Sequence, residues 1–111
     1  VLVNINDCPY ELAKSTFKDI KKQYDKINVL LTNYGGAGPY PQCFENLNSK
    51  EKIIAAQSKE KQFLNQAINY IDEFKPNYYL PFAGTYTLTG KLSNLQTLRG
   101  VSTFDNAINF F

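Results

Sequence analysis

The sequence predicts an α/β fold built on parallel strands, and three observations carry that expectation. The apolar run Val29-Leu30-Leu31 stops abruptly at Tyr34-Gly35-Gly36-Ala37-Gly38-Pro39, as a buried strand ends in a loop. An alternating stretch and a helical pattern precede that run, giving the order strand, helix, strand. A third β-like run, Tyr78 to Phe82, follows a long second helical pattern. Strands connected through helices pair in parallel, and ligands of such sheets gather beyond the carboxyl ends of the strands. The glycine loop therefore lies where function is expected.

Taken in order, Val1 to Asn6 (VLVNIN) alternates into a short strand that Asp7-Cys8-Pro9 closes. Pro9 suits the first turn of a helix, where its missing N–H costs nothing. From Tyr10 to about Lys26, the residues Ala13, Phe17, Ile20 and Tyr24 recur at helical spacing and mark one face. The strand Val29 to Thr32 follows. Tyr40 to Asn48 is irregular, and Asn48 or Ser49 caps a long helix reaching to about Phe74. Its inward face is Leu64, Ala67, Ile68, Ile71 and Phe74. Lys75-Pro76-Asn77 ends it, because the residue before a proline is pushed out of helical geometry. Tyr78 to Phe82 and Thr85 to Thr89 both read as β, giving the order β-α-β-α-β-β. In the tail, Ser93 to Leu98 reads as a helical turn and Thr103 to Phe111 as the first turns of a helix.

A chain of 111 residues, 43% of them apolar, suits one small domain or part of a larger one. A start within Val1-Leu2-Val3 and an end on Phe110-Phe111 favour a piece of a longer protein. No apolar run approaches the roughly 18 residues of a membrane span, and no secretory signal pattern is present, so a cytoplasmic setting without membrane attachment is expected. The net charge is +2, and the lysines between Lys14 and Lys26 are offset by Glu11, Asp19 and Asp25. That is a solvated helix face and not a nucleic-acid patch. Cys8 and Cys43 form neither a disulfide framework nor a CxxC pattern, and they read as small apolar residues. The chain has no histidine. The commonest general base, the commonest zinc ligand and every Ser-His or Cys-His arrangement are thereby excluded from it.

Parallel strands would bring three strand ends to one rim: Asn4 to Cys8, Asn33 to Gly38, and Phe82 to Thr85. Asp7 is the acid on that rim, and a carboxylate there either binds metal or caps the next helix. Gly35, Gly36 and Gly38 either approach a ligand or make a tight turn with positive φ. Tyr40 and Tyr86 carry hydroxyls that either meet a ligand or serve packing.

Four blocks in order, Asn4-Ile5-Asn6-Asp7-Cys8, Tyr34 to Pro41, Leu64 to Pro76 and Tyr79 to Tyr86, resemble the later part of the metallo-β-lactamase-like domain of CMP-N-acetylneuraminate hydroxylases. The resemblance implies half of an αββα sandwich: one sheet, its helices and part of a metal rim. It implies that Asp7 is a ligand to a divalent metal, zinc or iron, in the intact protein, and that this chain alone holds none. It implies a sugar or nucleotide-sugar substrate received by a loop surface of Gly35, Gly36, Gly38, Tyr40, Phe82, Gly84 and Tyr86. The partner it implies is an N-terminal half of the same protein carrying the histidine-rich motif. The family's final metal-binding histidine would fall near Pro81 to Gly84, where none stands, a departure from the two-metal hydrolase pattern. The paired Cys and His ligands of a Rieske cluster have no place in this chain.

Two other readings remain open. One is a Rossmann-like module whose glycine loop binds a nucleotide, although the loop lacks GxGxxG spacing. The other is an assembly module or homo-oligomer docking through apolar surface that includes Phe104, Phe110 and Phe111.

Overall fold

In the computed structural model, which describes residues Val1–Phe111, three short strands pair in parallel in the order β1 (Leu2–Asn4), β2 (Val29–Thr32), β3 (Tyr78–Pro81). The helix α1 (Tyr10–Gln23) connects β1 to β2, and α2 (Ser49–Phe74) connects β2 to β3. A 3₁₀ segment (Gly90–Leu98) and a short helix α3 (Phe104–Phe110) complete the chain.

Each helix forms for a local reason. Pro9 stands at the N-cap of α1, and Lys21 and Lys22 in its last turn complement the helix dipole. At the start of α2, the Asn48 side chain accepts from the Glu51 amide at 3.1 Å, while the Glu51 carboxylate accepts from the Asn48 amide at 2.8 Å. This reciprocal pair satisfies two of the donors a helix start leaves unbonded. Lys75 turns left-handed at φ 44° just before Pro76, and α2 stops there.

Both long helices lie on the same face of the sheet. Phe17 of α1 meets Tyr70 and Phe74 of α2 edge-on, at 5.4 and 5.1 Å between ring centres, and Tyr10 meets Tyr70 at 5.1 Å. Beneath them sit Ile5, Ile27 and Leu30, the last fully buried. The Tyr70 hydroxyl donates to the Cys8 carbonyl, tying α2 to the end of the first strand segment. A second cluster joins Tyr34, Leu64 of α2 and Ala107 of α3, and Phe111 packs on Tyr79 at 5.6 Å. The helical layer therefore continues over β3.

The other face of the sheet carries no cover. Register sets Leu2, Val29 and Tyr78 in one row and Asn4, Leu31 and Leu80 in the next. Leu2 is 58% exposed, Tyr78 72% and Leu80 47%. Phe82, next in the alternation, is exposed as well.

The α/β class and the strand–helix alternation thus hold, but the predicted final strand does not form. Thr85–Thr89 has no regular structure: the Leu88 amide donates to the Gln96 side chain at 2.7 Å, and Tyr86 lies under the Arg99 guanidinium. Alternation marks a segment fit for a strand, but the contacts that hold this segment run to Gln96 and Arg99, and the free edge of β3 goes unused. The helix α1 also ends earlier than Lys26. Tyr24, expected on its inner face, is extended and exposed, because the chain must leave the helix to bury Ile27 at the approach to β2.

Two predictions follow from the core. Leu30→Ala is expected to cost about 2–5 kcal/mol by urea unfolding, whereas Thr32→Val should be neutral or stabilising, since the Thr32 hydroxyl is buried without a partner. Burial raises the pKa of the Tyr70 and Tyr34 phenols above the ordinary phenol value. A folded-state pKa above the unfolded one makes that stability fully present below about pH 10 and lost as pH rises beyond it. The melting temperature should fall above about pH 10, less steeply in Tyr70→Phe.

Candidate functional site

The ends of β1 and β2 meet the inner surface of α2 around a cavity of about 360 Å³ lined by Asp7, Cys8, Pro9, Asn33, Gly35, Gly36, Ala37, Phe63 and Gln66. It opens at the carboxyl ends of parallel strands, the position at which such sheets bind ligands. The turn that brings Asp7 there is short: the Cys8 amide returns to the Ile5 carbonyl at 3.1 Å, with Asp7 left-handed at φ 56°. Aspartate tolerates that conformation better than most residues. Asp7 is exposed, and its carboxylate accepts from the Asn6 side chain at 3.1 Å. It does not cap α1, whose N-cap is Pro9 with no side-chain bond.

Asn33 is the polar residue deepest in this wall. It is 7% exposed, and its Oδ1 is buried with no hydrogen-bond partner. Such an atom normally costs about 1–3 kcal/mol unless a ligand or water satisfies it.

The glycines at the rim are there for close approach. None of Gly35, Gly36 and Gly38 has positive φ, which sets aside the tight-turn reading of the loop. A Cβ on Gly35 would lie 2.1 Å from the Gly84 carbonyl oxygen, and one on Gly84 would lie 2.3 Å from the Tyr34 ring. The loops after β2 and β3 therefore press backbone to backbone. A Cβ on Gly36 would meet the Phe63 ring at 2.6 Å, whereas Gly38 has open space around it.

The remaining residues expected on the substrate loop lie elsewhere. Gly38, Tyr40 and Tyr86 belong to a separate assembly around Gln42, which is buried and donates to the Gly38 carbonyl and to the Tyr86 hydroxyl at 3.2 Å. Lys59 of α2 donates to the Tyr40 carbonyl at 2.8 Å and the Arg99 carbonyl at 3.0 Å, and desolvation lowers its pKa. The Arg99 guanidinium stacks 5.3 Å from the Tyr86 ring centre. These contacts hold the loop in place without entering the cavity. Phe82 lies on the open sheet face, away from Asp7.

Sequence reasoning placed Asn33 at the head of the rim segment without singling it out, and it missed Phe63 and Gln66. Asn33 directly follows the β2 run, and Phe63 and Gln66 are three apart on one helical face, so both signals were present in the spacing. What the sequence did not show was which turn of a 26-residue helix stands over the rim.

The residues present do not complete a metal site. No group of three or more His, Cys, Asp or Glu side chains comes within reach of one ion, and Asp7 supplies a single carboxylate where structural zinc takes about four donors. No helix is long and apolar enough to cross a membrane. Comparison with family models, curated proteins and solved structures found no match.

The packing at the rim yields a direct test. Gly35→Ala and Gly84→Ala should each destabilise by about 1–3 kcal/mol or more in thermal melts, because backbone and ring must move. Gly38→Ala should stay within about 0.5 kcal/mol.

Proposed function

We propose that this chain is one layer of an αββα metallo-β-lactamase-like sandwich, the C-terminal half of a metal-dependent enzyme acting on a nucleotide-linked or otherwise anionic sugar. The observation that carries the reading is the bare apolar face of a parallel sheet, formed by Leu2, Val29, Leu31, Tyr78 and Leu80. Parallel sheets are found with both faces covered, so a second layer is required, and a stacked sheet about 10 Å away meets that need. The N-terminal half of the same protein supplies it in this reading. Asp7 then contributes one ligand to a zinc or iron ion whose other ligands come from that half.

The Gly35 and Gly36 backbone borders the pocket in which the substrate lies. Asp7 stands at the end of a strand, at the mouth of the cavity and free of any capping duty, which supports its assignment as a ligand. A lone carboxylate gives the isolated chain neither a complete ion site nor, without histidine, a ready general base. The isolated chain is inactive on this account.

A second reading, a ligand-binding module without catalysis, draws support from the cavity being walled entirely by this chain. The two readings separate in one experiment. Purified intact protein should carry stoichiometric zinc or iron, and Asp7→Ala should weaken metal binding by more than the roughly 10–100-fold typical of losing an outer-shell partner. Metal content unchanged by that substitution, or absent from the intact protein, rejects the metal reading and favours the binding module.

A further inference from the structure

The sheet has two open edges, and their backbones differ. At β3 the Tyr78 amide donates to the Asn28 carbonyl at 3.0 Å and the Phe82 amide to the Thr32 carbonyl at 2.8 Å. Successive residues of a strand turn their N–H and C=O groups to opposite sides, so Tyr79 and Pro81 face outward. Proline has no N–H, which leaves Tyr79 as the outward donor of β3. A proline so placed discourages further strand addition.

At β1 the outward groups are all present. The Val1 carbonyl accepts from the Val29 amide at 3.2 Å, and the Ile5 amide donates to the Leu31 carbonyl at 3.1 Å. Leu2 and Asn4 therefore face away from β2, each turning an N–H and a C=O toward an edge that no strand occupies. Neither proline nor a charged residue guards it.

The side chains around this edge are also uncovered. Leu2 is 58% exposed, and Leu12 of α1 is 81% exposed. Tyr10 and Lys21 mark the flank of α1 that meets α2, through Tyr70 and Glu73. Leu12 stands about 200° round the helix from Tyr10, on the opposite flank. Because α2 packs on β2 and α3 on β3, that opposite flank overhangs the space beyond β1.

We propose that a β-strand from the N-terminal half of the protein pairs with the outer edge of β1 and turns β1 into an interior strand. The pairing rests on the two-layer reading above: Leu2 belongs both to the bare face and to the open edge, so a half that covers one reaches the other. The added strand bonds the backbone of Leu2 and Asn4 and continues the row of Leu2, Val29 and Tyr78 with an apolar side chain of its own. It also widens the sheet beneath the Leu12 flank. On the far side, β3 remains the edge, closed by Pro81.

The test is NMR amide hydrogen exchange on the intact protein, which needs no substitution. The Ile5 amide, bonded to Leu31, is the internal reference for a folded sheet. The Leu2 and Asn4 amides are expected to be protected to within about tenfold of Ile5. Their nuclear Overhauser contacts should run to one extended segment outside residues 1–111. Unprotected Leu2 and Asn4 beside a protected Ile5 overturn the proposal. So does protection lost on dilution, which would assign the edge to a second copy of the chain. Asp7-dependent metal with an unprotected edge would sink this inference alone, whereas a protected edge in a metal-free protein would sink only the metal reading.

Discussion

Sequential parallel pairing governs this molecule. When β1, β2 and β3 lie side by side in chain order, each crossover of the usual hand returns over the same face, so α1 and α2 must share it. The aromatic contacts of Tyr10, Phe17, Tyr70 and Phe74 are the result: two helices forced together fill the space between them with rings at edge-to-face angles. The short helix α3 extends that layer through Ala107 and Phe111 and does not cross to the other side. One side of the sheet thereby becomes a core, and the other is left apolar and bare.

The same pairing brings the strand ends to one rim, and there backbone approach decides the shape. Gly35 has no room for a methyl group because the Gly84 carbonyl lies against it, and Gly84 has none because the Tyr34 ring does. That contact locks the loop after β2 to the loop after β3. Farther along, Gln42, Lys59 and Tyr86 pin the loop from behind by hydrogen bonds to its backbone and to one another. The glycine-rich loop is in effect two pieces, one facing the cavity at Gly35 and Gly36, the other serving support at Gly38 and Tyr40.

The end of β2 carries two enclosed polar atoms that the fold leaves without partners. Thr32 and Asn33 are neighbours at the end of β2, and both bury an oxygen without a partner. Thr32 is wholly enclosed, so its hydroxyl is a cost of the fold. Asn33 lines a cavity, but its oxygen is as enclosed as that of Thr32.

Much of this was legible in the chain. The Val29-Leu30-Leu31 run, the cap at Asn48 and the stop before Pro76 are local signals of burial and backbone geometry, and each element formed where they fell, while the inner face expected of α2 held at Leu64, Ala67 and Phe74 but left out Tyr70, which is fully buried. Asp7 and the first two loop glycines reached the predicted rim because strand order alone places strand ends together. Thr85–Thr89 misled, since alternation describes one segment while its contacts with Gln96 and Arg99 hold it in place without using the free edge of β3. Phe63 and Gln66 were decided by the tertiary structure alone. Which turn of a long helix overhangs a loop depends on how Phe17 and Tyr70 set the helices against each other, a contact between residues 53 apart in sequence that no local pattern encodes.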